Sequence, residues 1–239
     1  MGSSKILLII PAFNESGSIL KVIHDVNSLD MDVDILVIDD ASTDDTVPLV
    51  RQAGVSVISL DLNLGIGGAV QVGFQYAQEN GYATIVRLDA DGQHDAVYIN
   101  ELLKPIRDQD ADMVIGSRFL SLRGEFQSSP LRRMGIFFFA RIIGFLTQYT
   151  ITDPTSGFCA WNDKCIHVFA EYYPVDFPEP ESLVIAKKSN LKVLEVPVIM
   201  HERTSGASSI SNLKSIYYML KVTCAVLLGI LKRGRGHEC

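Results

Sequence analysis

Thr84-Ile85-Val86-Arg87-Leu88 followed by Asp89-Ala90-Asp91-Gly92-Gln93-His94-Asp95 is a short apolar run, interrupted only by Arg87, that breaks into an acidic loop. The run reads as a buried strand, and the residues after it, Ala96–Arg107, carry apolar side chains at helical spacing. The same order recurs on either side. Lys5–Ile10, Val33–Ile38, Val55–Leu60 and Met113–Ile115 read as further strands, and Ser16–Ser28, Asp44–Gln52 and Gly67–Glu79 as the helices between them. Strand, helix and strand repeated in this way imply right-handed crossovers, so the expected fold class is α/β, a mainly parallel sheet with helices on both faces. Ligands of such sheets bind beyond the carboxyl ends of the strands. That directs attention to four loops, at 11–16, 39–44, 61–68 and 89–95.

The 239 residues are 47% hydrophobic and 21% charged, which excludes disorder as the main state. The net charge of −7 hides an asymmetry: residues 1–116 hold 6 basic and 18 acidic side chains, and 117–239 hold 15 and 10. An acidic front half argues against a nucleic-acid partner, whereas the basic back half suits an anionic surface or ligand. Cys159, Cys165, Cys224 and Cys239 show no CxxC pair or zinc spacing, and the chain opens without a signal-peptide pattern. A reduced, cytosolic protein is expected.

After Gly116 the alternation stops. A Ser/Arg/Gly-rich loop (117–130) leads into the apolar stretch Leu131–Tyr149, then a mixed segment to about residue 200, and a last helix from Ser211 or Asn212 to about Lys232. The apolar positions of that helix share one face, and Lys214, Lys221 and Lys232 another. Its longest lysine-free run is ten residues, short of the roughly 20 needed to cross a bilayer. Both apolar stretches are bordered by Arg or Lys, and Phe137-Phe138-Phe139 stands near Arg132, Arg133 and Arg141. This suits amphipathic helices lying in a membrane interface, with two ordinary core helices as the alternative.

Asp89 and Asp91 are hard oxygen ligands suited to Mg²⁺ or Mn²⁺ bridging to phosphates, while a turn with capping aspartates is the other reading. An EF-hand is excluded because His94 and Asn100 stand where Gly and Glu are required. The first loop has neither Lys nor a glycine cradle, so it is no P-loop or dinucleotide fingerprint, yet Asn14 and Glu15 offer acceptors to a base or ribose. Asp39-Asp40 repeats that theme. Gly65-Ile66-Gly67-Gly68 lacks the final glycine of a dinucleotide site, and a tight helix entry explains it equally well.

Taken in order, Ile-Pro-Ala-Phe-Asn-Glu (10–15), Val-Ile-Asp-Asp-Ala-Ser-Thr-Asp (37–44), Asn-Leu-Gly-Ile-Gly-Gly-Ala (63–69), Leu-Asp-Ala-Asp-Gly-Gln-His (88–94), Gly-Ser-Arg-Phe (116–119), Asp-Pro-Thr-Ser-Gly-Phe (153–158) and Glu-Arg-Thr-Ser-Gly-Ala-Ser-Ser (202–209) resemble the GT-A-fold, family-2 glycosyltransferases. The resemblance is to the branch of dolichol-phosphate mannose synthase and bacterial polyprenyl-phosphate sugar transferases. It implies a Rossmann-like GT-A domain over 1–210, with a nucleotide-sugar half (1–116) and an acceptor half (117–210), followed by an amphipathic helix and basic tail (211–239).

The same resemblance implies that Pro11, Phe13, Glu15, Ile38 and Asp40 hold the nucleoside, and that Asp89, Ala90 and Asp91 meet the diphosphate. Asp89, Asp91 and Gln93 would be the metal ligands. Arg118 would serve the phosphates, Arg203 would close over the nucleotide, and Arg132 and Arg133 would receive the lipid phosphate. Glu181 stands where the wider family often has a catalytic acid or base. Where the mannose synthases carry Lys a few residues after the late arginine this chain has Ser209, which inclines the donor toward UDP-N-acetylglucosamine or UDP-glucose ahead of GDP-mannose.

The expected activity is therefore an inverting, metal-dependent transfer of one sugar to undecaprenyl or a similar polyprenyl phosphate for cell-surface glycan synthesis. Peripheral attachment to the cytoplasmic leaflet, with a small integral membrane protein as partner, goes with it. Transfer to a saccharide or protein hydroxyl is the alternative enzyme reading. A nucleotide-binding scaffold and a nucleotidyltransferase are disfavoured.

Overall fold

The computed structural model describes residues 5–120 and 130–201, with the backbone alone for 130–134. Strands β1 (Ile6–Ala12), β2 (Asp34–Asp39), β3 (Ser56–Ser59), β4 (Thr84–Arg87) and β5 (Met113–Ser117) alternate with helices α1 (Ile19–Asn27), α2 (Thr46–Gln52), α3 (Gly65–Glu79) and α4 (Ile99–Arg107), the last entered through a 3₁₀ turn at Ala96–Tyr98. There follow α5 (Pro130–Thr147), β6 (Cys159–Asn162), α6 (Asp163–Glu171), α7 (Pro178–Lys188) and β7 (Val193–Pro197). The seven strands form one sheet in the order β3-β2-β1-β4-β6-β5-β7. Every neighbouring pair is parallel except those of β6, which runs antiparallel to both β4 and β5.

Period-two alternation sorts the core into two layers. Leu7, Ile9, Leu36 and Ile38 face one side, where α3, α5, α6 and α7 cover them. Leu8, Ile10 and Val37 face the other, under α1, α2 and α4. Helices therefore cover both faces, as expected for the α/β class. The strands absent from the sequence reading are β6 and β7. Cys-Ala-Trp-Asn is too short to show a period, and Val-Leu-Glu-Val-Pro alternates over only five residues. Because β6 inserts between two strands of the first half, the segments before and after Gly116 share one sheet.

The carboxylate of Asp112, just before β5, ties this second half down. It accepts from Asn162 Nδ2 at 2.8 Å, Lys164 Nζ at 3.0 Å and the Lys192 backbone N–H at 2.7 Å, so it ties the start of β5 to the end of β6, the first turn of α6 and the start of β7. Burial would raise its pKa, but the donors of Lys192, Asn162 and Lys164 outweigh burial and hold it below the ordinary 3.8. Asp112→Ala is expected to cost about 2–4 kcal/mol at pH 7 in urea unfolding. A lowered folded-state pKa means that the contribution is complete above the unfolded value and is lost as pH falls through the folded one. The gap between wild type and variant should accordingly narrow once pH drops below 3.8.

Candidate active site

The carboxyl ends of β1, β2 and β4 open into a cleft of about 850 Å³ whose walls include Pro11, Phe13, Asn14, Glu15, Asp40, Asn63, Ile66, Arg87, Asp89, Ala90, Asp91, Gln93, Thr155 and Glu179. The first two loops are locked together by Asn14 of the cleft wall and by Ser42, Asp44 and Thr46, which do not line it. Asn14 takes a left-handed conformation (φ 55°), donating its N–H to Ser42 Oγ while its Oδ1 accepts from the Thr43 N–H. Glu15 N–H donates to Thr46 Oγ1 and Ser16 N–H to Asp44 Oδ2. Burial acts against the charged Asp44, but the hydrogen bonds of Thr46 and Ser16 prevail and bring its pKa down to about 2. Asp40 reaches across to α3, its two oxygens accepting from the N–H groups of Leu64 and Gly65 at 2.7 and 2.9 Å. A carboxylate at a helix N-terminus is favoured by the helix dipole, and this one sets where α3 begins.

Charge at the cleft floor is lopsided. Glu15, Asp40, Asp89, Asp91 and Glu179 line it, and Arg87 is the one cation among its described lining residues. Arg87 is 3% exposed. Its Nε lies 3.0 Å and its Nη2 2.9 Å from Asp89 Oδ1, while Nη1 lies 2.9 Å from Glu179 Oε1. Burial works against this cation, but the two carboxylates outweigh it and hold the guanidinium protonated. The Asp89 N–H donates to Nδ1 of His94, a buried imidazole stacked on Phe158 with ring centres 4.9 Å apart. Burial pushes the His94 pKa down against the pull of Asp89 and Asp91, consistent with a neutral ring whose Nδ1 is the acceptor. Gln93 N–H donates to Asp91 Oδ1, and Gln93 Nε2 to the His201 carbonyl.

Of the residues singled out from sequence, Pro11, Phe13, Glu15, Asp40, Asp89, Ala90, Asp91 and Gln93 meet in this cleft. Ile38 does not: it is fully buried in the core on the α3 side of the sheet. Arg118 lies beside the cleft with its guanidinium on Asp153, at 2.6 Å through both Nε and Nη2, and on Thr155 Oγ1 at 2.9 Å. Glu181, half-buried on α7, does not line the cleft, and burial first and Asp176 second push its carboxyl up. The carboxylate of α7 that reaches the cleft is Glu179. Its signal in the sequence is slight, because Glu179 and Glu181 both fall in the first turn of α7. Arg87 had a clearer one, as a charge inside an apolar strand. The side chains of Arg132 and Arg133, all of Arg203 and the helix expected at 211–232 lie outside the described residues.

A family profile described as "Glycosyl transferase family 2" matches residues 7–167. This chain belongs to that family. As a glycosyltransferase it is 31% identical over 221 residues (83% of this chain, 86% of the relative) to the UDP-N-acetylglucosamine–dolichyl-phosphate N-acetylglucosaminyltransferase of Methanococcus voltae. It is 30% identical over 98% of its length to the polyprenol monophosphomannose synthase of Mycolicibacterium smegmatis, covering 91% of that relative. The undecaprenyl-phosphate mannosyltransferase of Micrococcus luteus is 29% identical over 87% of this chain and 88% of its own. In fold, the glycosyltransferase matches glucosyl-3-phosphoglycerate synthase from Mycobacterium tuberculosis, crystallised with Mn²⁺, UDP and glucosyl-3-phosphoglycerate, at a TM-score of 0.71 and 18% identity over 95% of this chain and 80% of that one. The GT-A architecture follows from that likeness.

The close approach of Gly157 gives this transferase site a direct test. A Cβ there would stand 2.6 Å from Arg87 Nη2 and 3.0 Å from Asp89 Oδ2. Gly157→Ala is expected to cost about 1–3 kcal/mol in thermal unfolding, the range for overpacking a well-filled interior.

Proposed function

We propose that this glycosyltransferase moves a single sugar from a nucleotide sugar to a polyprenyl phosphate, with inversion at the anomeric carbon. The observation that carries the reading is the junction of an acid-lined cleft with an exposed aromatic helix. Phe137 of α5 packs on Phe119 at 5.8 Å between ring centres, the Arg118 guanidinium lies 5.5 Å from the centre of the Phe119 ring, and Arg118 reaches Thr155 at the cleft wall. An acceptor phosphate carried at a membrane surface by α5 would thus arrive beside the donor cleft. The names of the three relatives, all transferases to dolichyl, polyprenol or undecaprenyl phosphates, support the same acceptor class. For the donor, a UDP-sugar is favoured, with UDP-N-acetylglucosamine or UDP-glucose ahead of GDP-mannose.

In this reading an oxygen of the lipid phosphate bonds to the anomeric carbon as the bond to the nucleoside diphosphate breaks and the diphosphate departs with the electron pair. A phosphate monoester is already ionised near pH 7, so no general base has to take a proton. Phe13, 48% exposed at the cleft mouth, offers a ring face to a base. Asp89 and Asp91 supply two carboxylates, and among the described residues no group of three His, Cys, Asp or Glu side chains could hold a metal ion. That pair suits a hard divalent cation, Mg²⁺ or Mn²⁺, which Asp89, Asp91 and Gln93 would hold. Such an ion would supply positive charge against the departing diphosphate. Arg203 is proposed to add to it, and Arg132 and Arg133 to receive the lipid phosphate.

No helix among the described residues is long and apolar enough to cross a membrane. α5 exposes Phe138 (67%) and Phe145 (85%), with Arg141 between them on the same face. We infer that this face enters the interface of the cytoplasmic leaflet, with a small integral membrane protein as an additional partner.

The decisive assay presents purified protein with radiolabelled UDP- and GDP-sugars, polyprenyl phosphate in detergent and Mg²⁺ or Mn²⁺, and scores label entering the organic phase. Label from one donor is expected, with chelation and Asp91→Ala each lowering the rate by about 100-fold or more. No organic-phase label from any donor, with the membrane partner supplied, would exclude the lipid acceptor and favour a hydroxyl acceptor. Separately, Phe138→Ser with Phe145→Ser should weaken binding to anionic vesicles by about tenfold, since burial of apolar surface drives interfacial binding. Both side chains are exposed, so the melting temperature should stay within about 2 °C of wild type.

A further inference from the structure

We propose that Arg87 is a positioning residue for the transfer reaction: from beneath the cleft it fixes Asp89 and Glu179 against one another and balances their charge. The inference rests on the glycosyltransferase reading of this cleft.

Arg87 sits at the end of β4, and its two partners come from different parts of the fold. Asp89 belongs to the loop that follows the same strand. Glu179 stands in the first turn of α7, ninety-two residues further along the chain. One rigid guanidinium spans both, with two nitrogens on Asp89 Oδ1 and the third on Glu179 Oε1. A planar fork can hold two carboxylates at a set separation, whereas an ammonium on a flexible stem cannot. Space for the fork exists because Gly157 has no side chain.

The contacts on Arg87 engage one oxygen of each carboxylate, Asp89 Oδ1 and Glu179 Oε1. Glu179 has Oε1 on Arg87, and no buried side-chain oxygen lacks a partner among the described residues, so Oε2 is at the surface of the cleft rather than sealed beneath it. Asp89 is fixed twice, through its side chain by Arg87 and through its N–H by the His94 ring. The trio carries a formal charge of one negative, which leaves the floor anionic enough for a divalent cation without two uncompensated carboxylates side by side. Removing the arginine would take from both carboxylates the cation that offsets their charge, a costly change at a buried site.

The charge argument and the geometric one separate in a double variant. Arg87→Met/Glu179→Gln restores the formal charge of the trio but not the fork. The experiment measures binding of UDP and of GDP with Mn²⁺ by calorimetry, kcat and KM for transfer, and thermal unfolding, on wild type, Arg87→Lys, Arg87→Met, Glu179→Gln and the double variant.

Arg87→Met is expected to weaken nucleotide binding by about tenfold or more and to lower kcat by about 100-fold, with Arg87→Lys between it and wild type. The double variant should regain binding to within about threefold of wild type while its kcat stays depressed, because affinity follows charge and rate follows orientation. If Arg87→Met does not fold, Arg87→Lys and the double variant carry the same comparison.

A folded Arg87→Met with wild-type affinity and kcat would overturn the proposal, as would a double variant no better at binding than the single one. A lower melting temperature with unchanged kinetics would reduce Arg87 to a structural ion pair. If wild type binds neither nucleotide, the glycosyltransferase reading of the cleft fails first and this proposal with it. Binding by wild type that is unaltered in the variants removes the Arg87 proposal alone.

Discussion

A guanidinium that is 3% exposed must be paired where it lies, and in this fold its pairing decides how the two halves of the sheet meet. Arg87 leaves β4 at the point where the parallel first half adjoins the antiparallel β6. Its partners Asp89 and Glu179 come from opposite sides of that junction, and Gly157, two residues before β6, gives way to it. The polypeptide after Gly116 is thus anchored at two places by charge. Arg87 holds the carboxyl edge, and Asp112 holds the opposite end of β5, where it binds the starts of α6 and β7. Between them lies an aromatic core of edge-on and tilted rings, in which Phe74 of α3 meets Trp161, Phe169 and Tyr173.

Most of the polar residues in the first three loops serve the backbone rather than a ligand. Ser42, Thr43, Asp44 and Thr46 bind the main chain or side chain of residues 14–16, and Asp40 holds the start of α3. Loops at the carboxyl edge contain many unpaired backbone donors, and each must find an acceptor. Short polar side chains supply them at fixed distance, and the result is a rigid rim around a cleft whose chemistry falls to a few groups. That division explains why motifs of this kind are long while the reactive part is small.

The front of the chain was legible because each of its elements states one period clearly. Strands such as Leu7–Ile10 are continuously apolar, the helices between them are amphipathic, and Asp, Asn and Gly mark the turns. The acidic loop at 89–95 could be placed at a sheet edge for the same reason. Less could be read after Gly116. β6 is only four residues long, and its antiparallel insertion is a tertiary event with no local signature. Which of Glu179 and Glu181 reaches the cleft depends on the rotation of α7, set by burial of Pro178, Pro180 and Leu183 rather than by the carboxylates themselves. Ile38 was read by position in a motif, whereas the pleat of β2 turns it into the core beneath α3.

The charge asymmetry of the chain takes on meaning once the cleft is in view. Five carboxylates line the cleft, and Asp40, Asp89, Asp91 and Glu179 among them already satisfy backbone or arginine donors. A diphosphate entering such a cleft is repelled unless cations arrive with it. The acidic front half therefore suits a ligand that brings a divalent ion, and the same acidity disfavours contact of this half with an anionic membrane. The basic surplus lies in 117–239, the part that contains α5 and its exposed phenylalanines. On the membrane attachment proposed above, long-range attraction to anionic lipid would act on the basic half of the chain and repulsion on the acidic one, so the order of charge along the sequence would bias how the molecule meets such a surface. A bias of this kind needs no membrane-spanning segment, because it rests on where the chain keeps its carboxylates.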